Sequence, residues 1–369
     1  MAPKKNIVIV GGAGGAGLAR ALSPSLDASK HTLTLINDRA FYIHYPAMLR
    51  VNVTSDGHLE DRAWVPLDKI FAPGKVGKVK IGTVTKVVDG AVELESGETV
   101  PYDFLVLATG SKWEGFLDYP IDRSEAVKLV NSWRQKFANA GEVVIVGGGS
   151  VGIETAGEIA DFYPSTTVHI VHAQPLLLND TYPAKVRKAI ASQLESKGVK
   201  LHLGDLVTEI PATESGTVVT KKGVRLSADL FIPARGPRPN TAYLKSFDPT
   251  ILAESGGVKV HPTLQVPLAN GKTNVFALGD IIEWNEQKML FKTAAHTAVI
   301  LPNLLSALNG GKPTKEYKTG AEPIIVTIGR KGGYGYLPFL WGISLGSWVS
   351  STMKSKGLFI DKTRESFGY

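Results

Sequence analysis

Two glycine-rich loops of the same type lie 136 residues apart in this chain. Residues 11–17 read GGAGGAG after the β-branched run IVIV, and residues 147–152 read GGGSVG after VVIV. A helical pattern follows each loop, and such a strand, loop and helix hold the pyrophosphate of a dinucleotide with backbone N–H groups. Together with ATGS at 108–111 and NVFALGD at 274–280, the loops predict a flavin and a nicotinamide dinucleotide that exchange electrons.

The composition is that of a globular protein. The 369 residues are enough for two or three domains, and 43% of them are hydrophobic and 20% charged. Residues 1–6 contain no apolar stretch before the first predicted strand, so we expect no signal or transit peptide, no secretion and a cytoplasmic protein. No window reaches the roughly 18 apolar residues of a spanning helix, which leaves peripheral attachment to a membrane open.

Basic residues are concentrated at the C-terminal end. Residues 312–369 contain nine Lys or Arg and four Asp or Glu, within a chain of net charge +7. A solvated basic surface is the simplest interpretation. The functional alternatives are attraction to anionic lipid head groups or to nucleic acid. Of these two, the lipid is the favoured partner.

The sequence contains no cysteine. Many enzymes with paired dinucleotide loops pass electrons from the flavin to a redox-active cysteine pair, and others use a single cysteine. Neither route is available here, so a reduced flavin is predicted to give its electrons directly to a quinone, a small dye-like molecule or oxygen. No metal site is predicted.

The order of strand and helix patterns predicts an α/β fold. Strand patterns at 7–10 and 32–36 flank a helix at 14–22, and the same order recurs with 143–146, 153–163, 167–172 and 183–197. Further strands are predicted at 81–88, 91–94, 104–108, 228–234 and 275–278, and further helices at 124–139 and 293–308. We therefore predict two Rossmann-like dinucleotide-binding domains, the second inserted into the first as in glutathione reductase, plus a small C-terminal α+β unit.

The predicted domain limits follow from this order. The FAD-binding domain comprises residues 1–120 and 236–308, and the NAD(P)H-binding domain comprises residues 121–235. Residues 309–369 form the C-terminal unit, which is expected to face a quinone or a membrane.

The register of the first loop is open. Gly12, Gly14 and Gly17 match the G-x-G-x-x-G spacing, whereas Gly11, Ala13 and Ala16 place the first glycine directly after the strand. We favour Gly11, since Val10 ends the strand. The predicted cofactor contacts of this domain also include Gly15, Asn37 in the usual place of a ribose-binding acid, Arg39, Thr109, Gly110 and Gly236.

Other candidate residues lie near the ends of strands. Asp280 follows a strand and is expected to bond the ribityl chain of the flavin, while the helix after it directs its dipole to the flavin ring. In the second loop Gly147, Gly149 and Gly152 match the motif, and Ser150 is a further predicted contact. His172 ends the second strand where an acid would favour NADH, so NADH and NADPH both remain open.

Glu154 is the catalytic candidate of the second unit. It lies in the first turns of the helix that follows the second loop, and Glu158 is one turn further on the same face. Helical glutamates are usually solvated. Glu154 is nevertheless predicted to act beside the nicotinamide because its helix points at the cofactor.

These motifs, together with KSKGLF at 354–359, resemble the ferroptosis suppressor proteins, also called apoptosis-inducing-factor-like mitochondrion-associated oxidoreductases. The similarity covers nearly the whole chain, and the chain resembles a fungal-type member. It implies one FAD, oxidation of NAD(P)H, and reduction of ubiquinone-like quinones at a membrane surface such as a lipid droplet or the mitochondrial outer surface. Suppression of lipid peroxidation would follow.

The resemblance also implies particular residues. It implies that residues 11–15, Arg50, Val84 and Asp280 contact FAD and that Pro46 faces the flavin ring. It also implies that Glu154 is the family's glutamate on the nicotinamide side. Two features depart from the family. Ala2 excludes the N-myristoylation of animal members. The lysine that pairs with the glutamate has no clear counterpart, and Lys112 is the candidate.

An aromatic segment at 334–349 permits two interpretations. Its side chains pack in a core, or they form a membrane anchor and a quinone entrance flanked by basic residues. On the second interpretation the aromatic segment and the helix before it supply the quinone contacts, namely Phe291, His296, Phe339, Trp341 and Trp348. Reduction of the flavin by NADH is then expected to survive removal of residues 334–369.

The predicted function is FAD-dependent NAD(P)H:quinone oxidoreduction. One rival is an NADH oxidase that produces peroxide. Another is a redox-gated signalling flavoprotein that binds NADH and nucleic acid. Oligomeric state is left open between monomer and homodimer.

Overall fold

The computed structural model describes residues 3–339 and 342–369. The first loop follows the central strand of a parallel sheet. In spatial order, the strands of this sheet are Val275–Ala277, Phe104–Leu107, Lys5–Val10, His31–Asn37 and Lys78–Ile81. Residues 7–10 are buried because helices or loops cover both faces of such a sheet.

The second loop follows the central part of another parallel sheet. Its strands, in spatial order, are Lys200–Leu203, Thr167–His172, Glu142–Val146 and Leu230–Pro233. This sheet is formed entirely by residues that lie between two strands of the first sheet, Phe104–Leu107 and Val275–Ala277. The predicted α/β fold with one dinucleotide-binding unit inserted into the other is confirmed.

Helices pack on these sheets close to the predicted places. The described α-helices are Gly14–Leu22, Tyr45–Val53, Glu60–Ala63, Arg123–Asn139, Ser150–Phe162, Ala184–Ser196, Lys292–Leu308, Ser347–Ser350 and Ile360–Ser366, and a π-helix spans Ser351–Ser355. The helix Tyr45–Val53 had no sequence prediction. It begins with Pro46 in its first turn and packs against the helix Ser150–Phe162 of the inserted unit.

Smaller antiparallel sheets surround the parallel ones. The described pairings are Phe41–Ile43 with Trp64–Pro66, Val84–Val88 with Ala91–Leu94 and Thr99–Pro101, Gly216–Val219 with Arg225–Ala228, and Ile324–Ile328 with Gly332–Leu337 and Ile343–Leu345. Val258–Lys259 and Ile282–Glu283 pair in parallel.

The chain crosses between the two units through a short ribbon. Ser111–Lys112 pairs with Arg238–Pro239 in an antiparallel arrangement. Phe116, Leu117 and Tyr119 then pack in a hydrophobic core to which both units contribute. The limit at residue 120 stays a prediction, because this core also contains residues of the first unit such as Ala47 and Leu49.

The C-terminal residues pack against both nucleotide-binding units. Strand Ile324–Ile328 contacts the helix Ser150–Phe162, and Leu358 and Ile360 belong to a hydrophobic core to which both units contribute. The ring of Phe367 stacks on Tyr42 of the first unit at 5.0 Å. Removal of residues 334–369 would expose apolar side chains of both units, so from the structure we expect the truncation to impair folding, contrary to the expectation from the sequence.

Candidate functional site

One cavity of about 2130 Å³ lies between the two units and is lined by both glycine loops. Gly11 has φ +119°, and a Cβ on it would lie 2.0 Å from the carbonyl oxygen of Ala108. Gly147 has φ +127°, and its Cβ would lie 2.1 Å from the oxygen of Ala234. Both positions require glycine, because a side chain would strain the backbone and overlap the neighbouring strand. The equivalence assigns Gly11, Ala13 and Ala16 as the register of the first loop.

Each loop leads directly into a helix whose N-terminal end borders the cavity. The first helix begins at Gly14 and the second at Ser150, which occupy equivalent positions. The backbone N–H groups at these ends have no partner within the helix and are suited to a pyrophosphate. Side chains in place of the loop glycines would fill these two cradles. The cradles fit an FAD and a nicotinamide dinucleotide.

A polar side chain at the end of the second strand borders each loop. Asn37 lies beside Gly12 and donates from Nδ2 to the oxygen of Arg39 at 2.7 Å. His172 lies beside Gly148, whose N–H donates to Nδ1 at 3.1 Å, and Nε2 of the histidine lies 3.1 Å from the oxygen of Leu178.

Those bonds define the state of His172. Since Nδ1 accepts, Nε2 carries the proton and donates to the carbonyl. Burial lowers the pKa of His172, which favours this neutral form. Arg39 is held beside the first cradle by Asp38, with two N–O distances of 3.0 Å.

Asp280 lies on the wall of the cavity at the end of a strand of the first sheet. Its Oδ2 accepts a hydrogen bond from Ser111 Oγ at 2.8 Å. Burial raises the pKa of Asp280, and the Ser111 bond opposes that shift. Thr109 lines the same region and donates to the oxygen of Asn240 at 2.7 Å. Gly110, with φ +64°, and Gly236, with φ +94°, also border the cavity.

Glu154 forms a buried ion pair at the cavity wall. Its Oε1 accepts from Lys354 Nζ at 2.5 Å and from the backbone N–H of Thr327 at 2.9 Å. Lys354 also donates to the oxygen of Ile325 at 2.9 Å. Both side chains of the pair border the cavity, and Glu154 is only 4% exposed.

Lys112 was predicted to be the partner of this glutamate, and that prediction is wrong. Lys112 is exposed in the ribbon between the units, and Glu154 pairs with Lys354 from the C-terminal unit. Lys354 belongs to the KSKGLF segment that contributed to the family resemblance. Sequence spacing could not pair residues 200 positions apart, because only tertiary packing brings them together.

Arg50 was expected to contact FAD and lies instead outside the residues that line the cavity. Its guanidinium forms a bidentate ion pair with Glu158, with both N–O distances 2.8 Å. It also donates to the oxygen of Ser355 at 2.7 Å. Burial raises the pKa of Glu158, and Arg50 opposes that shift. Pro46 and Val84, the other contacts implied by the resemblance, do line the cavity.

The predicted quinone contacts lie in different environments. Phe291 borders the cavity and is half exposed. His296 is 1% exposed and lies behind the cavity, where Nδ1 accepts from the Gly279 N–H and Nε2 lies 3.0 Å from Glu286. His296 therefore does not line this cavity, contrary to the prediction.

The aromatic residues of the C-terminal unit also differ from expectation. Phe339 and Trp348 are 53% and 80% exposed and lie outside the cavity lining. They therefore neither pack in a core nor contact a molecule inside this cavity. Trp341 lies outside the described residues.

The fold and the site define a class of protein, the FAD-dependent oxidoreductases that use NAD(P)H. Residues 5–298 match the model of the family described as "Pyridine nucleotide-disulphide oxidoreductase". The chain belongs to this family. The family is named for a disulphide, but this sequence contains no cysteine.

Curated relatives support the resemblance found in the sequence. The chain is 41% identical to "FAD-dependent oxidoreductase FVFD30" of Flammulina velutipes over 86% of its length and 98% of the relative. It is 30% identical to "Ferroptosis suppressor protein 1" of Xenopus tropicalis over 98% of its length and 96% of the relative.

Among solved structures, the sulfide:quinone oxidoreductase of Aquifex aeolicus is similar to this chain, with a TM-score of 0.79 and 17% identity. The match covers 98% of this chain and 92% of that one. At this identity the match shows the fold. The predicted family and the cofactors FAD and NAD(P)H are thus confirmed.

Proposed function

We propose that the protein is an NAD(P)H:quinone oxidoreductase that acts at a lipid surface and limits lipid peroxidation. The observation that carries this proposal is the Glu154–Lys354 ion pair in a cavity shared by both dinucleotide loops. The names of the ferroptosis suppressor relatives and of the sulfide:quinone oxidoreductase point in the same direction.

FAD, when bound, would take a hydride from NAD(P)H and pass its electrons to the acceptor. The chain's own residues position the reactants and stabilise charge. The Lys354 ammonium provides a fixed positive charge where negative charge develops on a reduced acceptor, and Glu154 holds that ammonium in place. With no cysteine in the sequence, no thiol intervenes between the cofactor and the acceptor.

Apolar side chains at the cavity support a quinone as acceptor. Leu290 and Phe291 line the cavity and are 40% and 49% exposed, so they form part of its rim. Leu337 and Phe359 line it as well. A quinone ring with an isoprenoid tail matches such a lining better than a charged acceptor does.

A surface of the C-terminal unit supports contact with lipid. Among the described residues, its large exposed apolar side chains are Phe339, Ile343, Trp348 and Met353, and we call these four the apolar patch. Lys331 and Lys356 are exposed nearby in sequence. Aromatic residues with adjacent cations are typical of interfacial anchors. Among the described helices, none has the length and apolarity to cross a bilayer, and we propose peripheral binding at a lipid droplet or the mitochondrial outer surface.

A panel of acceptors tests the reaction. Purified holoprotein is mixed with NADH or NADPH and either a short-tailed quinone, a long-tailed quinone in liposomes, or oxygen alone. We expect quinone reduction to exceed peroxide formation, and liposomes to be protected from lipid oxidation. Equal or faster peroxide production would favour the oxidase alternative. Slow turnover with every acceptor and a salt-dependent DNA mobility shift would favour the nucleic-acid-binding alternative.

Substitution of the apolar patch tests the lipid surface. We expect Phe339→Ser with Trp348→Ser to reduce liposome binding and long-tailed quinone reduction, with short-tailed quinone reduction unchanged. Val219→Ser is the matched control, because Val219 is 60% exposed on a hairpin of the inserted unit. If both variants bind anionic liposomes as the parent does, the patch is not the lipid contact.

A further inference from the structure

Arg50 joins three parts of the molecule. It lies on the helix Tyr45–Val53 of the first unit and pairs with Glu158 on the helix Ser150–Phe162 of the inserted unit. Its Nη1 donates to the oxygen of Ser355 in the π-helix Ser351–Ser355 of the C-terminal unit. The side chains of Arg50 and Glu158 are 6% and 2% exposed, so water contributes little to holding them.

The Arg50 contacts run beside the ion pair of the active site. Glu154 and Glu158 are one helical turn apart, and Lys354 and Ser355 are consecutive. One turn of the helix therefore contacts Lys354 through Glu154, and the next contacts Ser355 through Glu158 and Arg50.

The segment that carries Lys354 has a backbone conformation that depends on contacts with other parts of the chain. The π-helix Ser351–Ser355 is a rare conformation that occurs mostly as a single turn, frequently at functional sites. Lys356 and Gly357 follow, and then Leu358 and Phe359 adopt left-handed backbone angles of φ 49° and 59°. Such angles are costly for non-glycine residues. External contacts, among them the Arg50 bond to Ser355, must compensate for this strain.

We propose that Arg50 and Glu158 are a positioning pair that fixes Lys354 against Glu154. The proposal rests on the function proposed for the Glu154–Lys354 pair. In this role Arg50 acts on Lys354 through other protein groups. The resemblance had instead implied that Arg50 contacts FAD.

The test replaces the pair with apolar residues of similar length, Arg50→Met with Glu158→Met. Exchange of both partners leaves no buried charge unpaired and is often tolerated. Arg50→Lys is the second variant, because one ammonium cannot make the bidentate contact and the Ser355 bond together. The control is Arg134→Met with Glu60→Met. Arg134 forms an ion pair with Glu60, with an N–O distance of 2.9 Å, and Nε of Arg134 donates to the oxygen of Val51 in the helix Tyr45–Val53.

The first measurement reports on Lys354 directly. The as-purified holoprotein is acetylated with an amine-reactive reagent, and the labelling of Lys354 relative to exposed Lys356 is quantified by peptide mass spectrometry. In the parent, the ion pair protects Lys354. We expect relative labelling to rise severalfold in both Arg50 variants and to stay at the parent value in the control.

The second measurement is turnover with NADH and a short-tailed quinone. We expect kcat to fall about tenfold to a hundredfold with FAD content unchanged, as misplacement of a catalytic group by about 1 Å can cost that much. Parent-like labelling of Lys354 in the Arg50 variants would overturn the proposal, whatever their turnover. Increased labelling with unchanged turnover would keep the positioning role and overturn the function proposed for Lys354. Loss of FAD would restore Arg50 as a cofactor contact and overturn the proposal.

Discussion

The helices after the two glycine loops bury different residues at equivalent positions. With Gly11 matched to Gly147, Leu18 and Leu22 of the first helix correspond to Glu154 and Glu158 of the second, and all four side chains are buried. The leucines pack in the core of their own unit. The glutamates pair with Lys354 and Arg50 from other parts of the chain.

This difference shows that the two similar units contribute different groups to the site. At these two positions the first helix contributes packing, and its N-terminal N–H groups form a cradle. The second helix contributes a cradle and two carboxylates whose partners come from outside its unit, since a buried carboxylate requires a cation. The inserted unit therefore depends on the C-terminal residues in a way the first unit does not.

The largest expected effect separates the two cradles. Gly11→Ala should give flavin-free, poorly folded protein, because its Cβ would overlap the Ala108 carbonyl in the core of the first sheet. Gly147→Ala, with the equivalent overlap at Ala234, should keep FAD and lose reduction by NADH. The visible spectrum and anaerobic NADH titration measure both. If Gly147→Ala also loses its FAD, the cradles are not independent.

The next effect concerns Glu154, which occupies the position equivalent to Leu18 of the first helix. In Glu154→Gln, the amide oxygen can still accept from Thr327 N–H, but the ion pair with Lys354 is lost. We expect flavin reduction or reoxidation by quinone to slow about tenfold to a hundredfold with FAD retained. Stopped-flow absorbance resolves the two half-reactions. The control is Leu18→Met, which alters the equivalent position in the first helix; parent-like rates in Glu154→Gln would contradict the prediction.

A smaller effect concerns the side chains beside the loops. His172→Asp introduces an acid that can bond the ribose 2′-hydroxyl and repel a 2′-phosphate, so kcat/KM should shift towards NADH by about tenfold. His172→Asn copies Asn37 of the first loop and should leave the preference nearly unchanged. Steady-state assays with NADH and NADPH measure the ratio. A shift of equal size in both variants would show that the histidine itself sets the preference.

The smallest effect concerns the carboxylate at the first cradle. Because burial raises the pKa of Asp280, the folded state holds its proton more tightly than the unfolded state does. Its contribution to stability is therefore complete below the ordinary pKa of 3.8 and is lost as the pH rises through the raised pKa. In flavin-free protein, Asp280→Asn should raise the unfolding midpoint by a few degrees near pH 8.

The two curves for Asp280 and its variant should converge near pH 4, and FAD should bind the variant more weakly. Calorimetry at several pH values and flavin titration provide the two readings. A variant less stable than the parent at pH 8 would mean that Ser111 outweighs the cost of burying the charge.

Sequence patterns predicted the fold and the cradles well because both depend on local chemistry. A β-branched run, a glycine that tolerates positive φ and a following helix specify one strand, loop and helix unit wherever they occur. The helix Tyr45–Val53 was missed, since its hydrophobic residues are buried almost all round and give no clear period. The partners of Glu154 and Glu158 were missed for another reason, as they lie 200 and 108 residues away.

The sequence by itself determined two dinucleotide cradles, the insertion of one unit into the other, and electron transfer without thiols. Only the tertiary structure decided that Lys354 completes the site, that Arg50 lies behind it, and that Phe339 and Trp348 face outward. The physical reason is the range of the interactions. Backbone angles and periodicity are set by neighbours in sequence, whereas ion pairs and burial are set by whichever surfaces the folded chain brings into contact.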